Sequence, residues 1–188
     1  MESKLKIVGI CGSLRKKSIN RTLLEAVKEY IPENVRFEIV EIDDLPFFNQ
    51  DCEANPPNEI IQFRNKVKNA DAIIFATPEY NYSISAVLKN AIEWGSRPYG
   101  SAVLNGKPIA IMGASTGMIG TARAQNHFRQ MCVQVNMHPI NKPEVLVTFV
   151  NEKIDQNGKI IDKHTKDKIK ELFYALVSWT LKLDDNVK

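Results

Sequence analysis

Residues 72–76 read Ala-Ile-Ile-Phe-Ala, five apolar side chains with no polar residue between them. A strand with one wet face alternates apolar and polar, and a strand without alternation is covered on both faces. Residues 7–11, at the end of a segment that begins at Lys4, have the same character, as do residues 108–112. Val35, Phe37 and Ile39 alternate within 35–42, and 145–150 supplies one more strand-like run. Helical spacing fills the intervals. Leu23, Val27, Tyr30 and Ile31 share one face of a helix beginning at Ser18, and Pro32 stops it. Further helices are predicted over 60–68, around Leu88 and Ile92, around Ala124, Phe128 and Cys132, and around Ile169, Phe173 and Leu176. Asn157-Gly158 marks a local turn.

Strands that alternate with helices and are apolar throughout predict an α/β fold, a parallel sheet with helices on both faces. Five strands in 188 residues suit a single domain over 1–188, a flavodoxin-like three-layer sandwich of strand order 2-1-3-4-5. A chain of this size buries roughly 70% of its unfolded surface and needs no disulfide or metal staple. Apolar residues at 44% and charged residues at 25% exclude disorder, collagen and coiled coil as whole-chain readings. No apolar run approaches the ~18 residues of a membrane span, and the N-terminal segment lacks a signal-peptide core. A cytoplasmic protein is expected. Net charge is +3 and the basic residues are scattered apart from Arg15, Lys16 and Lys17, so neither a nucleic-acid groove nor a membrane surface is indicated. Cys11, Cys52 and Cys132 have neither CxxC nor zinc spacing and are expected as buried, reduced thiols. No metal site is predicted.

In sheets of this kind ligands sit beyond the carboxyl ends of the strands. Three loops leave those ends, at 12–18, 77–83 and 113–119. The first joins a strand to a helix N-terminus, where free N–H groups and the helix dipole favour an anion. Ser13 and Ser18 add hydroxyls, Asn20 an amide, and Arg15 a charge-assisted fork. The set matches a phosphate monoester, although Ser18 taken alone is better read as a helix cap. Neither GxxxxGK[ST] nor GxGxxG is present. In the second loop Pro78 fixes the backbone, and Tyr80 and Asn81 can face a flat aromatic ligand; taken alone the segment reads as an ordinary turn. Gly113, Gly117 and Gly120 in the third loop permit close backbone approach.

With these motifs in place the chain resembles the NADPH-dependent FMN reductase family, which includes quinone, chromate and azo-dye reductases. The segments that carry the resemblance are GSLRKKSIN at 12–20, PEYNYS and LKNAIEW at 78–83 and 88–94, and GASTGMIGTARAQNHFRQ at 113–130. NKPE at 141–144 is similar to the chromate and quinone reductases within the family. The resemblance implies that Ser13, Arg15, Ser18, Ile19 and Asn20 hold the FMN phosphate. Pro78, Glu79, Tyr80 and Asn81 would line the ring and ribityl chain, and Ser115, Thr116 and Gly117 would flank the pyrimidine end. Two positions depart from the family pattern: Ser85-Ala86 stands where Pro-Gly is usual, and Met118 where a second glycine is frequent.

The resemblance implies an enzyme in which NADPH or NADH reduces bound FMN, which then reduces a quinone, azo compound, flavin or metal oxyanion such as chromate. One open ring face serving both substrates implies ping-pong kinetics. No catalytic acid, base or nucleophile is nominated, because the cofactor carries the chemistry. Glu79 is read as structural through its main chain, and His127, His138 and His164 as surface or packing residues. Two other classes fit the same loops, a non-enzymatic flavodoxin-like electron carrier and a phosphate-ligand binding module. The slightly basic charge counts against the carrier. A homodimer or homotetramer is also implied, with Arg123, Gln125, Asn126 and Arg129 expected on an exposed helix face and Glu144 near it.

Overall fold

The computed structural model describes residues 5–185. Among these residues six strands, all parallel, form one sheet: β1 (Leu5–Cys11), β2 (Val35–Val40), β3 (Ala72–Ala76), β4 (Pro108–Ala114), β5 (His138–Pro139) and β6 (Val145–Val147). Their order is β2-β1-β3-β4-β5, with β6 also paired to β4. The predicted order is therefore present, and the switch point lies between β1 and β3. Lys4, expected at the start of the first strand, lies outside the described residues.

Five α-helices cover the sheet: α1 (Ile19–Val27), α2 (Asn58–Lys68), α3 (Ala86–Gly95), α4 (Ala122–Val135) and α5 (Lys163–Asp185). Two apolar clusters separate by strand parity. Ile73 and Phe75 face Phe63, Leu88 and Phe128 on the side of α2, α3 and α4, whereas Ala72, Ile74 and Ala76 face Leu23 and Phe173 on the side of α1 and α5. All five β3 side chains are buried, as the unbroken apolar run requires. Phe75 and Phe128 meet edge to face at 4.8 Å, a geometry that adds about 0.5–1.5 kcal/mol beyond their burial.

The fifth strand differs from expectation. Its place beside β4 is shared by two short pieces. His138 and Pro139 pair with the start of β4, and Val145 to Val147 with its end. Phe149 has φ +45°, which ends the extended run before Val150, and Val150 begins a 3₁₀ turn. β2 stops at Val40 instead of 42, and β4 runs two residues further, to Ala114. All three cysteines are free. Cys11 and Cys132 are buried and Cys52 is half-buried. Burial pushes the Cys132 thiol up to about 12 and raises that of Cys11.

The end of β4 is built around a missing side chain. A Cβ on Gly113 would lie 1.9 Å from Thr121 Oγ1 and 2.5 Å from the Thr77 carbonyl oxygen. Thr77 is held in turn, because its N–H donates to the Met112 carbonyl at 3.0 Å. Gly113→Ala should therefore destabilise the fold by about 2–3 kcal/mol, in the range of overpacked cores, as read from the midpoint of urea unfolding.

Candidate functional site

The first loop leaves β1 and enters α1. Ser18 is the N-cap, and its Oγ accepts from the Arg21 N–H at 3.2 Å. The cap reading of Ser18 is thus correct. It takes one of the helix's free donors and leaves the others, since the N–H groups of Ile19 and Asn20 have no acceptor among the described residues. The same is true of the N–H groups of Ser13 and Arg15. Ser13 is half-buried, Arg15 is exposed, and neither Arg15, Lys16 nor Lys17 has an ion-pair partner among the described residues. Beneath the loop, the Cys11 thiol lies 3.6 Å from the Ser13 carbonyl and 3.7 Å from Ser18 Oγ. A concentration of unpaired N–H donors, a hydroxyl and a free guanidinium is the donor set of an anion site.

Asn20 is placed otherwise than the phosphate reading assumes. Its side chain is buried. Nδ2 donates to the Ala114 carbonyl at 3.1 Å and Oδ1 accepts from the Ala114 N–H at 2.9 Å. The amide ties the first loop to the end of β4, and what Asn20 offers an anion is its main-chain N–H.

The second loop turns tightly. Tyr80 and Ser83 exchange both main-chain hydrogen bonds at 2.9 Å, and the residues between them, Asn81 and Tyr82, have φ +49° and +66°. Positive φ at both central positions marks a primed turn, unusual for tyrosine. Pro78 is buried, whereas Tyr80, Asn81 and Tyr82 are exposed. The loop is gripped by α4. Glu79 Oε2 accepts from the N–H groups of Arg123 at 3.0 Å and Ala124 at 3.1 Å. The Arg123 guanidinium sits 4.0 Å from the Tyr82 ring centroid, and Ser83 Oγ is 2.8 Å from His127 Nδ1. Glu79 is structural, as expected, but through its carboxylate instead of its main chain. His127 has a contact role at the loop.

The third loop is pinned from a side that sequence reading missed. The Ser115 N–H donates to the Val147 carbonyl, the Val150 N–H to the Ser115 carbonyl, and the Phe149 N–H to the Gly117 carbonyl, at 2.9–3.2 Å. The N–H groups of Thr116, Gly117 and Met118 are left without a partner among the described residues, and these residues are exposed. The signal for the 147–150 segment was available in principle, since a strand beside β4 must also end at this edge of the sheet. Of the two departures, Ser85 caps α3 by accepting from the Leu88 N–H at 3.3 Å, and Met118 is 73% exposed, so it does not fill the loop.

The face assigned to association changes as well. Gln125 is buried and donates to Thr121 Oγ1 and to the Val145 carbonyl, both at 3.0 Å, so it is absent from the exposed face of α4. Arg129 donates to the Ile140 carbonyl at 2.9 Å, and Glu144 pairs with Lys142 at 3.1 Å.

Three loops thus converge at the carboxyl ends of β1, β3 and β4, with unpaired donors on the first and third and exposed aromatics on the second. Residues 5–152 match the model of the NADPH-dependent FMN reductase family. This chain belongs to that family. It is 42% identical to an NAD(P)H-dependent FMN reductase of Pseudomonas aeruginosa over 97% of its own length and 99% of that protein. It is also 42% identical to an NAD(P)H:quinone oxidoreductase of Solanum tuberosum, covering 95% of this chain and 94% of that one. Among solved structures, a flavoenzyme NAD(P)H:(acceptor) oxidoreductase from Paracoccus denitrificans superposes with a TM-score of 0.86 at 32% identity, over 95% and 98% of the two chains. Among the described residues, no helix of this family member is long and apolar enough to cross a membrane, and no cluster of His, Cys, Asp and Glu could hold a metal ion.

Asn20 carries a structural expectation of its own. Replacing it with alanine strips two hydrogen bonds from buried main-chain groups of Ala114. Each orphaned group costs about 1–3 kcal/mol, so Asn20→Ala should lose about 2–6 kcal/mol in chemical denaturation.

Proposed function

We propose that this chain is a flavin-dependent quinone reductase, with FMN held where the three loops meet and NAD(P)H as the electron donor. The carrying observation is the match between the donor set and the cofactor. An anion-favouring loop, a buried proline followed by an exposed tyrosine, and a run of free N–H groups correspond to phosphate, flat ring and pyrimidine carbonyls. Full-length relatives named as FMN and quinone reductases support the same reading.

In this reading the N–H groups of Ser13, Arg15, Ile19 and Asn20, the Ser13 hydroxyl and the Arg15 guanidinium bind the phosphate. Pro78, Glu79, Tyr80 and Asn81 border the ring and ribityl chain. Ser115 holds the third loop in place, and the N–H groups of Thr116 and Gly117 donate to the pyrimidine end, where fixed dipoles stabilise added negative charge. FMN, when bound, supplies hydride acceptance and release. Overall, NAD(P)H, a proton and a quinone give NAD(P)⁺ and the hydroquinone, so two electrons leave the nucleotide and both enter the acceptor. The protein therefore has to orient and exclude; no side chain has to become an acid or a nucleophile. The direct test is addition of FMN to apo-protein, followed by NAD(P)H oxidation with benzoquinone as acceptor. No FMN binding, or no acceptor-dependent nucleotide oxidation, would remove the reading.

Arg15 is exposed and has no partner among the described residues, so its removal should leave the fold intact. A charge-assisted hydrogen bond is worth about 1.5–3 kcal/mol, and Arg15→Ala should weaken FMN binding roughly 10- to 150-fold in calorimetric titration.

All three loops lie at one end of one sheet, so nucleotide and quinone have the same place to dock. Each must leave before the other enters. Initial rates at varied NAD(P)H and several fixed quinone concentrations should give parallel double-reciprocal lines. Intersecting lines would show both substrates bound at once.

A further inference from the structure

The three loops are followed by α1, α3 and α4, whose caps differ in charge. α1 and α3 are capped by their own serines, Ser18 and Ser85. At α4 the N-cap residue, Thr121, makes no side-chain cap bond; its Oγ1 accepts from Gln125 Nε2 instead. The cap comes from the second loop, where Glu79 Oε2 accepts from the second and third N–H groups of the helix, those of Arg123 and Ala124. Oε1 lies 3.7 Å from the Arg123 guanidinium, and the Glu79 side chain is only 12% exposed.

An uncapped helix start carries about half a positive charge. Residues 115–120 run directly into α4, so that charge and Arg123 both sit beside the third loop, whose free N–H groups face the ligand in the reading above. Without Glu79 this edge would be strongly electropositive and would compete with α1 for the phosphate. With Glu79 a full negative charge is fixed there by two hydrogen bonds.

We propose that Glu79 is a charge-tuning and positioning residue: it closes the N-terminus of α4 to anions and lowers the two-electron potential of bound FMN. The proposal rests on the FMN reading. Reduction adds negative charge to the ring, and a fixed carboxylate at the neighbouring helix start disfavours it relative to a neutral cap of the same shape. A lower potential leaves the electron pair easier to pass on to a quinone. Arg123 opposes Glu79, so the two residues should act with opposite sign.

The test is the midpoint potential of the FMN-loaded protein, titrated with dithionite against an indicator dye, alongside the FMN dissociation constant. Glu79→Gln keeps an oxygen that can accept from Arg123 and Ala124 and removes the charge. It should bind FMN and favour the reduced form about tenfold more than the unmodified chain does, which is a rise of about 30 mV for a two-electron couple. Arg123→Gln should move the potential the other way. An unchanged or lowered potential in Glu79→Gln, or shifts of the same sign in both variants, overturns the proposal while FMN binding stands. Should Glu79→Gln fail to fold, Arg123→Gln alone decides, and an unchanged or raised potential overturns it. If the unmodified chain binds no FMN, the function reading fails and this proposal with it.

Discussion

β4 is longer than its neighbour, and the buried Asn20 amide makes the extra length possible. β3 pairs with β4 as far as Met112, and Thr77 adds one further bond to the Met112 carbonyl. Pro78 follows, with no N–H to give and a fixed φ, so the ladder cannot continue. The N–H and carbonyl of Ala114 would then be buried without partners. Asn20 supplies both from the start of α1, as a strand would. The first loop is thereby locked to the third across the switch point. A slip of α1 by one residue would strand two buried groups at about 1–3 kcal/mol each. The same bonds that complete the sheet hold the N–H donors of the first loop in register with the third loop.

The other couplings reuse this economy of missing atoms and borrowed partners. Gly113 lacks a Cβ because Thr121 Oγ1 and the Thr77 carbonyl occupy its place. That close approach brings the end of β4, the second loop and the start of α4 together. Asn81 and Tyr82 hold positive φ, at a cost of order 1–3 kcal/mol each, and such a conformation persists only where the surroundings over-determine it. Here they do: Glu79, Tyr82 and Ser83 each touch the first two turns of α4. The strain leaves Tyr80 and Asn81 exposed at the rim with their backbone fixed.

Much of this was legible in the chain. The unbroken apolar run of β3 forces a doubly covered strand, and the order of elements then fixes the position of the loops. Ser18 followed by a 3.6-residue pattern marks a cap and a helix. Other features left no such mark. His138-Pro139 is two residues long and contains a residue that cannot donate to a ladder, so it carries no period. The run over 145–150 looks like one strand because apolarity does not report that Phe149 adopts φ +45°. Gln125 lies off the apolar stripe of α4 and reads as solvated, yet it is buried because the Val145 carbonyl and Thr121 Oγ1 need a donor. Asn20 and Glu79 stand out in the sequence only through the motifs that contain them. Their side-chain partners lie 94 and 44 positions away, and no local pattern encodes such a distance.

Neutral and charged caps divide the labour at this edge of the sheet. A serine cap such as Ser18 satisfies one N–H and adds no charge, so the positive end of α1 stays available to a phosphate; the same kind of cap on α3 is worth about 1 kcal/mol of stability. A carboxylate cap satisfies two N–H groups and cancels the dipole, so α4 contributes rigidity without attracting an anion. Exchanging the two kinds of cap would leave both helices formed and reverse the polarity of the site. Arg15, Lys16 and Lys17, without an ion-pair partner among the described residues, reinforce that polarity beside α1, whereas Arg123 at α4 already faces Glu79 and the Tyr82 ring. In the proposed reading, a ligand with a dianionic tail and a flat ring would be oriented by this polarity before any contact with the ring is made, tail toward α1 and ring toward the second and third loops.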